Sequence, residues 1–468
     1  MTPILFKKAK KRQSSPDSCK AGTRLLTFPT LTLLLAVFTL LVLLPQPSHG
    51  QIRDHRLFLE GFEFEGLTKT KPNVIISRMT IRPGDVLTPG ILELNQQRLS
   101  QTNFFKEVNL YTRPGSEKGQ VVVIVEVKER KLPYFQFEGG HNDLDGFYFV
   151  PAGLRYDNAF GRGSLLALRW TIGDNIGKLS LSYHNTIFSG AAFIDAELAG
   201  GEKIFIHYFG SDRTEQKVGF GGLRLKLGGT RGVFKHLFLA YRKQTYDADD
   251  FATSESGDKI TDLPTGILDD LEETEIEALA LGLYADSRDN PVFPLRGWWG
   301  ALTGETANEA LAGKANFPKV TLDARFYHSV FDTRVLAFHL KAAYTTRDSP
   351  FYERFYLGGA NSLRGYPNRR LTPEGWGTKL ILTNTEFRFP LTKSKFPYHK
   401  TSGVLFFDAG GIWLPGEDPD IGDFFTSLGF GIRTRLPIIG MTRFDFAFPL
   451  EKIDAKDFHF HISLGHTF

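Results

Sequence analysis

From Tyr134 to Phe468 the chain does not space its apolar residues as an amphipathic helix would. Short segments alternate apolar with polar side chains, and Gly, Asn, Asp and Pro separate them. Alternation at every second residue gives each segment two unlike faces, so the segments are expected to pair as strands and share one buried side. Division at the turn residues gives sixteen segments, from 134–141 to 458–468, and an even number suits a closed antiparallel barrel. The last three show the pattern most plainly. Leu428, Phe430, Ile432 and Leu436 share a face opposite Gly429, Gly431, Arg433 and Arg435. Phe444, Phe446 and Phe448 oppose Arg443 and Asp445, while Phe458, Phe460, Ile462, Leu464 and Phe468 oppose His459, His461 and Ser463. Periodicity alone does not say which face is inward, so a soluble sandwich and a membrane-spanning barrel remain alternatives at this point.

The amino terminus bears on that choice. Residues 1–50 read as an export signal: Lys7, Lys8, Lys10, Lys11, Arg12, Lys20 and Arg24 precede the apolar run Leu31–Leu44, and Pro45 and Pro47 end it. Ser48-His49-Gly50 supplies small residues for cleavage before Gln51; a retained anchor helix over Leu25–Leu44 is the alternative. The one cysteine, Cys19, lies before the apolar run, so a processed chain would have no thiol for a disulfide or a thiolate site. Export, 42 Phe and 47 Gly favour a barrel with its aromatic faces outward, toward lipid. A net charge of +4 over 468 residues gives no reason to expect nucleic acid as a partner.

Residues 51–132 have a different, mixed α and β character. A strand over Leu57–Phe64 leads to a short helix over Lys71–Met79, and Arg82-Pro83-Gly84-Asp85 is turn chemistry. Thr88 is placed to cap a second helix, with Pro89 in its first turn and Leu92, Leu94 and Leu99 on its buried side. Two strands, Val108–Thr112 and Val121–Val127, complete a β-α-α-β-β order. The stretches FEFEGL, IRPGDVLT, QRLSQTNFFKEVNLY and VVVIVEVKE make this segment resemble a single POTRA domain, the periplasmic module of outer-membrane assembly and transport proteins.

Two connections in the remainder exceed hairpin length. Asp247–Thr274 is acidic and reads as a solvated outer loop. Residues 347–377 hold FYLGGANSLRGYPNRRL, too polar and too rich in glycine for a strand, and long irregular loops inside β domains usually have a task. On the strand that follows, Asn384, Glu386 and Arg388 share a face opposite Phe387 and Phe389; Asp408 lies on the next. If the Phe387 side meets lipid, Glu386 points into the lumen. A cation between Glu386 and Asp408 would relieve their repulsion, and the loop guanidinium of Arg364 can fork two carboxylates. Gly365 would let the backbone turn tightly and Tyr366 would pack beside the guanidinium. Three separate solvated charges are the alternative.

Chemistry by turnover finds little support. There is no Gly-x-Ser-x-Gly elbow, P-loop, His-Glu-x-x-His or dinucleotide fingerprint, so neither an enzyme nor a cofactor is expected. His459 and His461 fit a polar lumen wall better than a metal site.

The set Leu363-Arg364-Gly365-Tyr366, Glu386 and Asp408 resembles the signature of the BamA/TamA superfamily, also called the bacterial surface antigen family. DNAFGRG (157–163), DSRDNPVFPLRG (286–297) and GFGIRTRLPIIG followed by RFDFAFPL add to that resemblance. It implies a mainly β protein, with a 16-stranded antiparallel transmembrane barrel over 133–468 and a lumenal loop over 347–377. It also implies that Arg364 contacts Glu386 and Asp408 as a lumenal lock, and that Phe468 and its strand act as an assembly signal. The implied function is assembly or translocation of unfolded outer-membrane or secreted protein clients, amid outer-membrane lipids and with periplasmic chaperones or accessory lipoproteins as candidate partners. The first and last strands would part to template a client, while the pinned loop keeps the far wall rigid. A secretion pore for one specific protein and a structural surface antigen without transport activity are the alternatives.

Overall fold

The computed structural model describes residues 57–464, apart from 103, 131–132, 188–190, 231–234, 291–293, 332–333, 392–400, 437–439 and 454–455. The expected export signal (1–50) and Phe468 therefore lie outside the described residues.

The amino-terminal domain runs β1 (Leu57–Glu65), α1 (Pro72–Arg78), β2 (Val86–Leu87), α2 (Pro89–Ser100), β3 (Phe105–Pro114) and β4 (Gln120–Glu129). Its sheet order is β2-β1-β4-β3, with β1 and β4 parallel. Alternate apolar residues of β4 (Val121, Val123, Val125, Val127) meet Leu59, Ile75 and Leu99 in one core. Thr88 caps α2 by accepting from the Ile91 amide, with Pro89 at the first turn, as the sequence predicts. Leu94, expected inside, is exposed. One helical turn before Leu99 stands Asn95, and that position is the one facing the core. Asn95 is buried because its amide satisfies the Thr80 amide and the Ile91 carbonyl, both at 2.7 Å.

The barrel begins with β5 (Tyr134–Asn142), β6 (Gly146–Ala159), β7 (Ser164–Gly173), β8 (Ile176–Ile187), β9 (Ala192–Phe209), β10 (Asp212–Gly229) and β11 (Leu237–Ala248). Inside the acidic loop lie β12 (Ala252–Ser254), β13 (Lys259–Ile260) and one helical turn, α3 (Thr265–Leu268). The barrel continues with β14 (Thr274–Asp286), β15 (Gly297–Ala307), β16 (Phe317–Phe331), β17 (Arg334–Thr345) and β18 (Lys379–Pro390). It ends with β19 (Thr401–Trp413), β20 (Phe425–Leu436), β21 (Gly440–Pro449) and β22 (His459–Leu464). Leaving aside β12 and β13, the sheet has the sixteen antiparallel strands expected. β22 comes beside β5 to complete the circle of strands, although among the described residues no residue-by-residue register joins these two.

Side-chain exposure decides the orientation that periodicity left open. Phe135, Phe137, Trp170, Leu281, Leu405, Phe430, Phe460 and Ile462 stand exposed on the outer face. Asn384, Glu386, Asp408, Arg433, Arg443, Asp445 and Ser463 are buried on the inner one. A water-soluble sandwich would do the reverse, whereas an apolar exterior suits hydrocarbon. No described helix is long and apolar enough to cross a membrane.

Two loops pack into part of the lumen. Phe351, Tyr352 and Trp376 of the 347–377 loop pack with Phe205 and Phe317 of the wall. Leu263 and Ile267 of the acidic loop join that cluster, so this connection is more than the solvated excursion expected. Leu263 and Ile267, four residues apart, form its inner side, and Asp270 there accepts from the Phe351 amide at 2.7 Å.

The amino-terminal domain is tied to the barrel by the turn between β6 and β7. Asn158, Phe160, Gly161 and Gly163 all have positive φ there. This winding aims the Asn158 amide at Thr70 Oγ1 (2.6 Å) and the Gly161 carbonyl at the Lys71 amide (3.0 Å). A Cβ on Gly161 would fall 1.8 Å from the Lys69 carbonyl oxygen. Gly161→Ala is therefore expected to undock the domain, seen as faster limited proteolysis of the 130–133 connection while the barrel stays resistant. The docking segment is itself held by Glu129, which accepts from the Thr68 hydroxyl and from the Lys69 and Thr70 amides. Burial pushes its carboxyl up, but the bonds from Thr68, Thr70 and Lys69 outweigh that and hold it at about 2. With a depressed folded value, the contribution of Glu129 is full above about pH 4.5 and fades as pH falls toward about 2. A thermal melt of the protein against pH should show this acid loss for the amino-terminal domain, and Glu129→Gln should flatten it.

Candidate functional site in the barrel lumen

The loop between β17 and β18 enters the barrel from the end opposite the amino-terminal domain. Arg354 closes its base by donating to three backbone carbonyls, those of Ser349, Gly375 and Arg347, at 2.6–2.7 Å. The Phe355–Gly377 bridge then brings the two arms together, and the tip reaches β18, β19 and β20.

Arg364 is fully buried at that tip. Its Nε and Nη2 donate to the two oxygens of Asp408 at 2.8 and 2.6 Å, a bidentate fork, and its Nη1 donates to Glu386 Oε1 at 2.7 Å. The alternation phases of β18 and β19 do bring Glu386 and Asp408 to one inner face, so the three are one cluster and not separate solvated charges. Each carboxylate has further donors. Asn384 Nδ2 reaches Asp408 at 2.8 Å, and Arg388 reaches the second oxygen of Glu386 at 2.8 Å. Arg433 of β20 links Glu386 to Asp445 of β21, at 3.4 and 2.5 Å. Three arginines and three carboxylates thus face one another away from water, where unpaired charge is very costly.

Two expectations about the tip need correction. Tyr366 does not lie beside the guanidinium; its ring meets Phe425 edge-on and its hydroxyl donates to the Glu451 carbonyl at 2.9 Å. The ring beneath the guanidinium is Phe406, 3.5 Å from Arg364 Cζ to the ring centroid. It shares the inner face of β19 with Asp408, two residues away, so strand periodicity contained the signal. Gly365 has no positive φ. It must be glycine because a Cβ would fall 2.4 Å from Ser427 Cβ and 3.0 Å from Pro449 Cα, while its amide bonds Ser427 Oγ at 3.1 Å.

Phe460 and Ile462 lie exposed on the outer face of β22, Phe458 just before it is also exposed, and Leu464, its last described position, is partly buried. His461, on the inner face, donates from Nε2 to the Arg364 carbonyl at 2.7 Å. The two inward histidines are therefore lumen wall, and His461 touches the loop.

Sequence reasoning missed two further anchors. On the loop's incoming arm, Glu353 is buried and accepts from Arg242 and Tyr246 of β11 and from Lys319 of β16, at 2.6, 3.0 and 3.0 Å. The polarity is reversed relative to the tip: the loop brings the anion and the wall the cations. On the outgoing arm, Arg369 is fully buried with φ +60°. It donates to the Leu144 and Ile204 carbonyls and lies 5.4–5.8 Å from the rings of Trp376, Tyr356 and Phe205. Arg369 follows Pro367-Asn368 in the chain, and a local reading has no way to see the aromatic surround.

Residues 158–468 match the Omp85 superfamily domain, and residues 59–130 match POTRA, described as the surface antigen variable number repeat. The outer membrane protein assembly factor BamA of Nitratidesulfovibrio vulgaris is 24% identical over 434 residues, covering 89% of this chain and 52% of the relative. That of Neisseria meningitidis serogroup B is 23% identical over 462 residues, covering 88% and 57%. The chain thus spans about half the length of the curated relatives it matches. Among solved structures, BamA from Haemophilus ducreyi lacking POTRA domains 1–3 aligns with a TM-score of 0.63 at 19% identity, over 87% of this chain and 84% of that one. CdiB from Escherichia coli aligns at 0.54 and 14%, over 88% and 76%. At such identities these two structures speak for the fold alone. Taken with the apolar exterior, the loops packed into the lumen and the arginine fork, these matches place the chain in the outer membrane with its POTRA domain in the periplasm: it belongs to the Omp85 superfamily.

Proposed function

We propose that the protein assembles other β-barrel proteins into the outer membrane, accepting unfolded clients at the POTRA domain and templating them at the seam between β5 and β22. The observation that carries this reading is a family-matched barrel into whose lumen two of its own loops pack, so that sheet edges are offered to a client more readily than the pore. The POTRA sheet ends in β3, and an edge strand recruits an extended segment through backbone hydrogen bonds that tolerate many sequences. In lipid, an unpaired edge costs several kcal/mol per group, which gives an incoming client strand its driving force. Clients would be unfolded outer-membrane or secreted proteins; outer-membrane lipids surround the exposed aromatic band, and chaperones or accessory lipoproteins would deliver at the periplasmic face.

A second reading, a pore secreting one specific partner, draws on the likeness to CdiB. It requires Phe351 and Trp376 of the loop to leave their packing against Phe205 of the wall. A surface antigen without transport activity would require neither edge nor pore. Depletion of the protein followed by outer-membrane proteomics separates the three: broad loss of barrels is the expected result, loss of one secreted protein would favour the pore, and no change would favour the antigen.

In this reading Arg364, with Gly365, Tyr366, Glu386 and Asp408, is a structural pin and not a catalytic group. Arg364→Ala takes the forked guanidinium from buried Asp408 while Glu386 keeps Arg388 and Arg433, and breaking a buried pair this way costs about 3–5 kcal/mol. Arg364→Lys keeps the charge but cannot fork, so its effect should be smaller. Heat-modifiable gel mobility should rank the three proteins as wild type, Lys, Ala in order of falling unfolding temperature, and client assembly should fall in the same order.

A further inference from the structure

Asn361, near the tip of the loop, bonds in two directions. Its backbone N–H donates to both oxygens of Asp143, at 3.1 and 2.9 Å, and Asp143 lies in the turn between β5 and β6. Its side-chain Oδ1 accepts from Arg443 Nη2 of β21 at 2.5 Å, and the same Nη2 lies 3.3 Å from the Ala360 carbonyl. β5 opens the barrel sheet and β21 pairs with its last strand, so one loop residue ties together the two ends of the sheet. Neighbouring contacts repeat the arrangement. Arg369 holds the Leu144 carbonyl beside Asp143, and His461 of β22 holds the Arg364 carbonyl. Gly359 is shaped to this approach: its φ is +120°, and a Cβ there would fall 2.8 Å from Asp143 Cγ.

Both partners of Asn361 are charged and withdrawn from water, Asp143 at 2% exposure and Arg443 at 0%. Hydrogen bonds to buried charges are among the strongest a side chain makes, and removing one leaves the charge under-solvated. We propose that Asn361 is a positioning residue that straps the first hairpin to the last strands, so that the loop, as well as the strand edges, sets the width of the seam. The strap changes the expectation that the loop serves only the far wall. Through Arg364 the loop is fixed to β18 and β19, and through Asn361 it carries that fixed point to both sides of the seam. The seam cannot widen without breaking the Asn361 contact on one side.

The proposal stands on barrel geometry and not on the client-assembly reading, so its test needs no client. Spin labels on the lipid faces of β6 and β21, at Phe149→Cys and Phe448→Cys in a Cys19→Ser background, report the separation across the seam in lipid vesicles. The full chain should give one narrow distance distribution. Asn361→Ala and Asp143→Ala should each shift it to longer distances and broaden it. Asp143→Asn keeps an acceptor for the Asn361 amide and should stay close to the parent. Glu353→Gln, which loosens the loop at β11 and β16 instead, should leave the seam distance unchanged. Distributions for Asn361→Ala and Asp143→Ala that match the parent would overturn the strap, as would an equal shift in Glu353→Gln. If Asn361→Ala does not fold, the contrast between Asp143→Ala and Asp143→Asn decides the matter alone.

Discussion

A single buried guanidinium sets the terms for this barrel. A sheet that turns its apolar face to lipid must fill its interior with polar and charged groups, and those groups repel or desolvate one another unless each finds a partner. Arg364 supplies that partner from outside the sheet, forking Asp408 and reaching Glu386 while Phe406 supports it from below. The consequences run outward: Gly365 has to be small because the tip is drawn against Ser427 and Pro449, and Asn384 and Arg433 are recruited to complete the carboxylates' remaining bonds.

Opposite polarities at different walls give the loop one seating. At β18 and β19 it brings a cation to anions; at β11 and β16, through Glu353, it brings an anion to cations. A loop shifted along the lumen would set like charges together, a cost of the same order as the bonds gained. Trp376, Phe351 and Phe205 add apolar packing between these anchors. The loop is thus part of the barrel's core, and the seam between β5 and β22 meets it through Asn361 and His461.

Much of this was legible because strands repeat every two residues. Alternation set Glu386 opposite Phe387 and put Phe460 and Ile462 on one face, export and aromatic content turned that face outward, and division at the turn residues gives segments at 275–286, 297–306 and 425–436, where β14, β15 and β20 lie. The resemblance named Arg364 as the cation between Glu386 and Asp408. What alternation could not carry was anything set by three-dimensional approach. Local chemistry assigns Gly365 a tight turn, but close contact with Ser427 is what excludes a side chain. Tyr366 was read as the guanidinium's neighbour because it is adjacent in the chain, while Phe406 is adjacent in the sheet. Asp143 lies in an Asn-Asp-Leu-Asp stretch that no pattern links to the loop, and only the fold brings it to Asn361. Leu94 was misplaced for a simpler reason: an apolar residue was preferred where helical spacing pointed to Asn95.

If the loop tip is a fixed part of the barrel core, its amides must exchange as slowly as those of the surrounding strands. The Arg364 and Gly365 N–H groups, bonded to Asp408 and Ser427, are the ones to follow by hydrogen–deuterium exchange of the protein in lipid vesicles. The account predicts that peptides covering 355–371 are protected to the level of β18 and β19 and lose that protection together with them when Arg364 is replaced. Exchange over 355–371 as fast as in an exposed surface loop, with the strands still protected, would contradict it.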